Sequence, residues 1–432
     1  MTTPTADDTP PADREYAREL DAADPLADLR ERFVVPEGER YMDGNSLGLC
    51  SADAAAALDR VVDEWKELAI RGWTDADPDW FHMGERLGDR MAPLVGARAE
   101  SVVVGNSTTV NIHTLVGSML DAHGAGTVLV NDLDFPTDHY AIAAQLRQRG
   151  LDPDEHLVAV ESGDGRTVTT EEIATALEAH DVDIVFMPTV LYRSGQLLDV
   201  PAITDLAHEH DALAGFDAAH SVGVVPHEFD EWGVDFAVWC TYKYLNGGPG
   251  ALAGLYVNER HFDIDPALAG WWGHDKATQF EMRHEFTPAD DAGRFQIGTV
   301  PVLSAAPLDG ALDVTHAAGI EALREKSVAL TEYLVALADE RLADLGYSVG
   351  TPRNPDRRGG HVALEHPEAY RISEALKDRG IVVDYRPPNV VRVAPSPYYV
   401  GFETVWTVVE DLRDIAENEV FTEFDRQSGG VT

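Results

Sequence analysis

The sequence predicts an α/β fold: a large domain around a mostly parallel sheet, followed by a smaller α+β domain. Three observations predict it. Short, continuously apolar runs alternate with amphipathic helical segments, the pattern of strands buried on both faces. Helices rather than tight hairpins separate several of those runs, which is what parallel strands require. After Pro307 the texture changes to long helical stretches and a few strands.

Taken in order, residues 1–12 and 426–432 read as polar tails, and 13–50 as a segment that serves the small domain and the active site. The large domain is expected over 51–307. It opens with the amphipathic helix SADAAAALDRVVDEWKELAI, then the strand SVVVG and the helix STTVNIHTLVGSML with its Ser/Thr cap. GTVLVN is a strand that runs into DLDFPTDHY, and AIAAQLRQRG is a helix ended by Gly150. HLVAVE, DIVFMPT, AGFD, DFAVWC and GLYV supply the remaining strands. The small domain is expected over 308–425. A long helical segment from Leu308 to Gly346 leads to HVALEH, a helix, the strands IVVDYR and VVRVAPS, and a closing helix. Open α/β sheets bind ligands at the carboxyl ends of their strands, so the loops DFPTDHY, FDAAH and TYKYLNGG should converge.

Composition narrows the function. The net charge of −43 argues against a nucleic-acid partner, because phosphate binding takes clustered Lys and Arg. The acids are spread along every helical segment, as in molecules that work in molar salt, so a halophilic setting is expected. Two cysteines, Cys50 and Cys240, make no disulfide framework, which fits a reducing cytoplasm. No run approaches the roughly 18–20 apolar residues of a membrane span, and the first residues carry no apolar signal core. No G-x-G-x-x-G follows a strand, which disfavours a nicotinamide enzyme.

The chemistry concentrates between Gly215 and Gly250. Asp217 ends one apolar run, His220 follows, and the next run delivers Lys243 ahead of YLNGGPG. Lys243 is one of only five lysines, with Lys66, Lys276, Lys326 and Lys377. A lysine that bonds an aldehyde and an aspartate that keeps a pyridine nitrogen protonated are the parts a pyridoxal phosphate site needs. On these two residues alone, a solvated lysine and a turn-capping aspartate explain the pattern equally well. Thr108 and Thr109 stand at a helix start able to hold a phosphate, or simply to cap. Phe135, Pro136, Thr137 and Asp138 follow the next strand, where a ring could stack on a planar cofactor. Arg392 lies among apolar residues, placed for bidentate capture of a carboxylate or for a local ion pair.

Together the motifs resemble one family. YMDGNSLG, TVNIH, FPTDHYA, FDAAHSVG, WGVDFAVWCTYKYLNGGPG, GWWGH and VRVAPSP occur in the order found in kynureninases, pyridoxal-phosphate enzymes of the fold-type-I aminotransferase superfamily. The resemblance runs from about Tyr41 to Tyr399. It implies that Lys243 carries the cofactor, that Asp217 pairs its ring nitrogen, and that His220 and Asp138 stand beside the ring. Phe135 would stack on that ring, Thr108, Thr109 and Tyr242 would reach the phosphate, and Tyr242 would also be a proton donor. Trp271 and Thr299 would be donated across a homodimer interface. Arg392, Asn45, Ser46, Trp73 and His274 would bind substrate, with Trp73 and Thr299 as in bacterial forms that prefer unmodified kynurenine. A position that usually carries Ser or Thr falls on Pro188, with Thr189 beside it. The implied reaction is hydrolysis of L-kynurenine or its 3-hydroxy form to L-alanine and an anthranilate, within tryptophan catabolism and the supply of NAD precursors. A class V aminotransferase, a cysteine desulfurase and a non-catalytic pyridoxal-phosphate-binding dimer are the alternatives.

Overall fold

The computed structural model describes residues 12–124 and 126–426. The two tails expected from sequence lie outside these apart from their inner ends. Ala12 is not a free tail residue: it is buried, and its carbonyl accepts from Arg341 Nη2 at 2.6 Å. Arg426 donates to Glu368 at 3.1 Å.

Seven strands form the main sheet: β1 Val102–Gly105, β2 Val128–Asn131, β3 Leu157–Val160, β4 Ile184–Pro188, β5 Leu213–Asp217, β6 Phe236–Cys240 and β7 Ala253–Val257. Their spatial order is β1-β7-β6-β5-β4-β2-β3. The pairs β3–β2, β2–β4, β4–β5 and β5–β6 are parallel, and β7 is antiparallel to both β6 and β1. Every residue of β1, β2, β4, β6 and β7 is buried, which is why these strands read as unbroken apolar runs. Side chains alternate between two cores. Met187, Phe216 and Trp239 fill one face, while Phe186 and Phe236 stack at 6.0 Å on the other. Each such ring contributes about 1.5–3 kcal/mol by leaving water.

Four short strands form an antiparallel second sheet: β8 Ser348–Val349, β9 Val362–Glu365, β10 Asp384–Arg386 and β11 Val390–Val393, in the order β10-β11-β9-β8. The helices Ile320–Arg341 and Phe402–Glu417 share its core. The N-terminal segment joins this unit. Arg40–Tyr41 pairs in parallel with Ile381–Val382, and Asp21 caps the helix Phe402–Glu417 by accepting from the Phe402 and Glu403 amides at 2.6 and 2.9 Å.

The long helical segment expected from Leu308 is corrected. Two helices occupy this stretch, Val302–Ala318 and Ile320–Arg341, with Pro307 inside the first. Gly319 breaks them at φ +80°, a conformation that costs glycine little. The first helix packs against Ala52–Leu68 so closely that a Cβ on Gly310 would lie 2.1 Å from the Asp53 carbonyl.

Candidate active site

The carboxyl ends of β2, β4, β5 and β6 converge on one cleft lined by Phe135, Asp138, Pro188, Tyr192, Asp217 and His220. Asp217 closes β5 and is 8% exposed; its Oδ1 accepts from the Ala219 amide at 2.7 Å. Lys243 comes from the turn after β6. The N-terminal segment seats that turn, because the Gly48 amide donates to the Tyr242 carbonyl at 2.7 Å. Lys243 Nζ lies 2.8 Å from His220 Nε2. Burial, and then the nearby Lys243 and Arg392 cations, hold His220 well below the usual histidine range. As a neutral ring it accepts a hydrogen bond from the lysine through Nε2, which leaves Nδ1, buried and without a partner among the described residues, to donate.

Two further acids crowd this end. Asp138 is 1% exposed and its Oδ1 has no partner among the described residues; burial, then Asp217 and Asp134, push its pKa well up. Asp134, held by Asn131 Nδ2 at 2.7 Å, is pushed up to about 8, chiefly by burial. Burial raises Asp217 too, with Lys243 opposing. Buried like charges cannot all ionise without a cationic or proton-donating partner. A protonated pyridine nitrogen is such a partner.

At the other end, Ser107 caps the helix Thr108–His123, accepting from the Val110 amide. Thr109 Oγ1 and Thr137 Oγ1 are 2.8 Å apart, so the starts of this helix and of Pro136–Gln148 meet. Free backbone N–H groups and hydroxyls there suit a phosphate. Phe135 is 45% exposed, its ring edge-on to Tyr192 at 5.4 Å, free to cover a planar group. The Tyr242 phenol is held well above its usual range by neighbouring Cys240 and by burial, so it keeps its proton. Lysine, acids, aromatic face and helix starts together fit pyridoxal phosphate.

Arg392, on β11, is 1% exposed. Its Nε donates to Asp384 Oδ1 at 3.0 Å, Nη2 to Asp384 Oδ2 and to Ser46 Oγ (2.8 Å), and Nη1 to the Tyr192 carbonyl at 2.7 Å. Ser46 in turn donates to Asp384 at 3.0 Å. With its amide oxygen toward Arg392, Asn45 accepts from Nε at 2.8 Å and donates to Asp43 at 3.2 Å. Asp43 is pushed up to about 6 by burial and by Asp384. Arg386 also donates to Asp384, at 2.7 Å.

Four predicted residues lie apart from this cleft within one chain. Trp73 and Thr299 line a groove with Trp65, Trp80 and Leu303. Trp271 is 46% exposed and donates to the Gln279 carbonyl at 3.4 Å. His274 is buried, with Nε2 3.2 Å from Thr278 Oγ1. Pro188 reaches the cleft, whereas Thr189 turns behind it and bonds Ser221 Oγ at 2.7 Å. Sequence reasoning missed Asp384, Asp43, Tyr192 and His361. Asp43 sits in a motif beside the predicted Asn45 and Ser46, and Asp384 lies eight residues before Arg392, but an acid in either place reads as a surface charge. Of the two cysteines, Cys240 is buried and Cys50 is exposed just ahead of the helix Ala52–Leu68.

A family model described as the kynureninase C-terminal domain matches residues 323–412. Proteins described as kynureninase from Geobacillus thermodenitrificans and from Bacillus anthracis are each 48% identical to this chain over 414 residues, 96% of both partners. One from Shouchella clausii is 46% identical over 415 residues, covering 96% of this chain and 97% of its own. Among solved structures, an apo cysteine desulfurase from Thermococcus onnurineus NA1 superposes with a TM-score of 0.77 at 19% identity, over 90% of this chain and 98% of that one. A lysine-to-alanine mutant of C-DES, with glycine covalently linked to its PLP cofactor, gives 0.76 at 17% identity, over 89% and 98%. These distant likenesses establish the fold.

Proposed function

The chain belongs to the kynureninase family, and on that premise we propose that it binds pyridoxal phosphate and hydrolyses L-kynurenine to anthranilate and L-alanine, with 3-hydroxy-L-kynurenine as the second candidate substrate. The observation that carries this reading is that Lys243 and the buried Arg392 both stand close enough to His220 to act on its charge: an amine that can bond an aldehyde and a guanidinium that can pair with an α-carboxylate. When bound, the cofactor supplies the electron sink for negative charge that develops on the substrate's carbons.

The chain's own residues do the rest. Asp217 and Asp138 hold the proton-bearing ring nitrogen. Phe135 covers the ring, while Thr108 and Thr109 hold the phosphate. Arg392, with Asn45 and Ser46, orients the carboxylate so that the α C–H bond faces Lys243. Lys243, as the free amine, would take that proton, and His220 is placed to accept a hydrogen bond from the ammonium so formed. Water adding to the γ-carbonyl lets the C–C bond break with the aryl fragment leaving as anthranilate, and Tyr242, which keeps its phenolic proton, would donate that proton to the β carbon to complete L-alanine.

A second copy of the chain is the proposed partner. Trp65, Trp271, Phe280 and Leu303 are 58%, 46%, 65% and 43% exposed, more apolar surface than an isolated face carries at no cost. Covering this face would bring Trp271 and Thr299, with Trp73 and His274, to the partner's cleft. The proposed setting is the cytoplasm at high salt; among the described residues no helix is long and apolar enough to cross a membrane.

The test is direct. Protein purified with pyridoxal phosphate and given L-kynurenine in molar KCl should release fluorescent anthranilate, and Lys243→Ala should release none. A Lys243→Ala variant at full rate would overturn the assignment. A wild type that holds the cofactor yet releases no product from either kynurenine would overturn the substrate.

A further inference from the structure

His361 is the buried residue that the reaction above leaves without a task. It is 0% exposed, yet among the described residues neither ring nitrogen makes a hydrogen bond of normal geometry, the Tyr192 carbonyl alone standing near enough to act on it. A buried imidazole with both nitrogens unpaired is costly, and such groups in folded proteins call for an explanation. Its position supplies one.

His361 immediately precedes β9, two residues before Ala363, which is the cross-strand partner of Arg392. Residues two apart on a strand share a face, and direct partners share a face. His361 therefore stands on the same side of the small sheet as Arg392, diagonal to it, where such neighbours are about 7–8 Å apart. On its other side, the His361 ring centre is 5.9 Å from that of His220, which touches Lys243. The imidazole thus bridges the space between the amine end and the carboxylate end of the site. Gly195 lies against it: a Cβ there would come within 3.2 Å of His361 Cδ2 and Nε2, so the ring sits in space that only glycine leaves open. The adjacent Tyr192 carbonyl already accepts from Arg392 Nη1.

The geometry points to His361 as a substrate-binding residue that donates an imidazole N–H to the α-carboxylate held by Arg392. This deepens the reading of the site as an amino-acid site and rests on it. Burial, with Arg392 and Lys243 adding to it and the Tyr192 carbonyl partly opposing, keeps the ring well below the usual histidine range. A neutral ring always carries one N–H, and it adds no third cation beside Arg392 and Arg386.

The experiment uses the holoenzyme and two variants, His361→Phe, which keeps a ring without a donor, and His361→Gln, which keeps a donor. L-Alanine carries the amine and carboxylate but no aryl ketone, so its affinity is read from the change in cofactor absorbance without any turnover. In His361→Phe the L-alanine Kd and the L-kynurenine KM should each rise about tenfold, as for a lost hydrogen bond to a charged group, with kcat within about twofold. His361→Gln should recover most of that loss. If both constants are unchanged in a folded His361→Phe, the ring only packs or holds buried water, and the proposal fails. It fails equally if Gln weakens binding as much as Phe. Should His361→Phe not fold, His361→Gln compared with His361→Met decides by the same two constants. A wild type that binds L-alanine but does not turn over kynurenine would fail the proposed function alone, leaving the L-alanine series to judge His361.

Discussion

Arg392 is tied down before any substrate arrives. Asp384, fully buried, takes its Nε and Nη2, and the fork is completed by Ser46 and the Tyr192 carbonyl. The cost of removing Arg392 therefore has two parts. Breaking a buried pair leaves an uncompensated charge and costs about 3–5 kcal/mol. Because Arg386 also bonds Asp384, the lower end is expected for Arg392→Met, about 3 kcal/mol by urea denaturation. Arg392→Lys keeps the charge but loses the fork, so the KM for L-kynurenine should rise at least about tenfold with a smaller loss of stability. An unchanged KM in the lysine variant would place the carboxylate elsewhere. Truncation alone would confound binding with folding, which is why the pair of variants is needed.

At the scale of elements, the turn that carries Lys243 is held from outside its own sheet. The motif YMDGNSLG packs its second glycine under that turn. A Cβ on Gly48 would meet Asn246 Oδ1 at 2.3 Å and the Lys243 carbonyl at 2.4 Å. Gly48→Ala should therefore shift the lysine's backbone, lowering kcat by about tenfold or more while the cofactor still binds, since small displacements at a reacting centre are expensive. A variant with wild-type kcat would show that the turn is positioned by its own sheet. The strands were legible in sequence because burial on both faces leaves an uninterrupted apolar signature. The break at Gly319 was not, since an isolated glycine inside a helical pattern is commonly tolerated and only the packing of Val302–Ala318 against Ala52–Leu68 decides otherwise. The site was legible in part for a similar reason. Lys243 and Asp217 announce themselves by residue type at strand ends, whereas Asp384 and His361 acquire meaning only from what lies opposite.

Across the whole molecule the net charge is −43, and the arginines are largely committed to local pairing. Asp309 alone collects Arg60, Arg86 and Arg90. The remaining carboxylates repel one another over a Debye length of about 10 Å at 0.1 M salt and about 3 Å at 1 M. Moving from 0.1 M to 2 M KCl should raise Tm by roughly 10 °C, with near-UV circular dichroism sharpening in step. A Tm independent of KCl would sink the high-salt reading of the composition while leaving the chemistry of the cleft untouched.

Residue order and local periodicity were enough to determine the α/β class, the parallel sheet, the lysine and its aspartate, because strands buried on both faces and residues at their ends leave their mark within a few positions. The tertiary structure alone decided that Ser46 meets Arg392 across 346 residues, that Asp384 anchors the fork, and that His361 stands beside His220. It also decided that Trp73 and Thr299 line a separate groove, while Trp271 is half exposed and His274 is buried. The physical reason is that such meetings depend on how two separately folded sheets and an N-terminal strap pack together. That packing depends on the shapes of whole surfaces, which no local pattern of residues records.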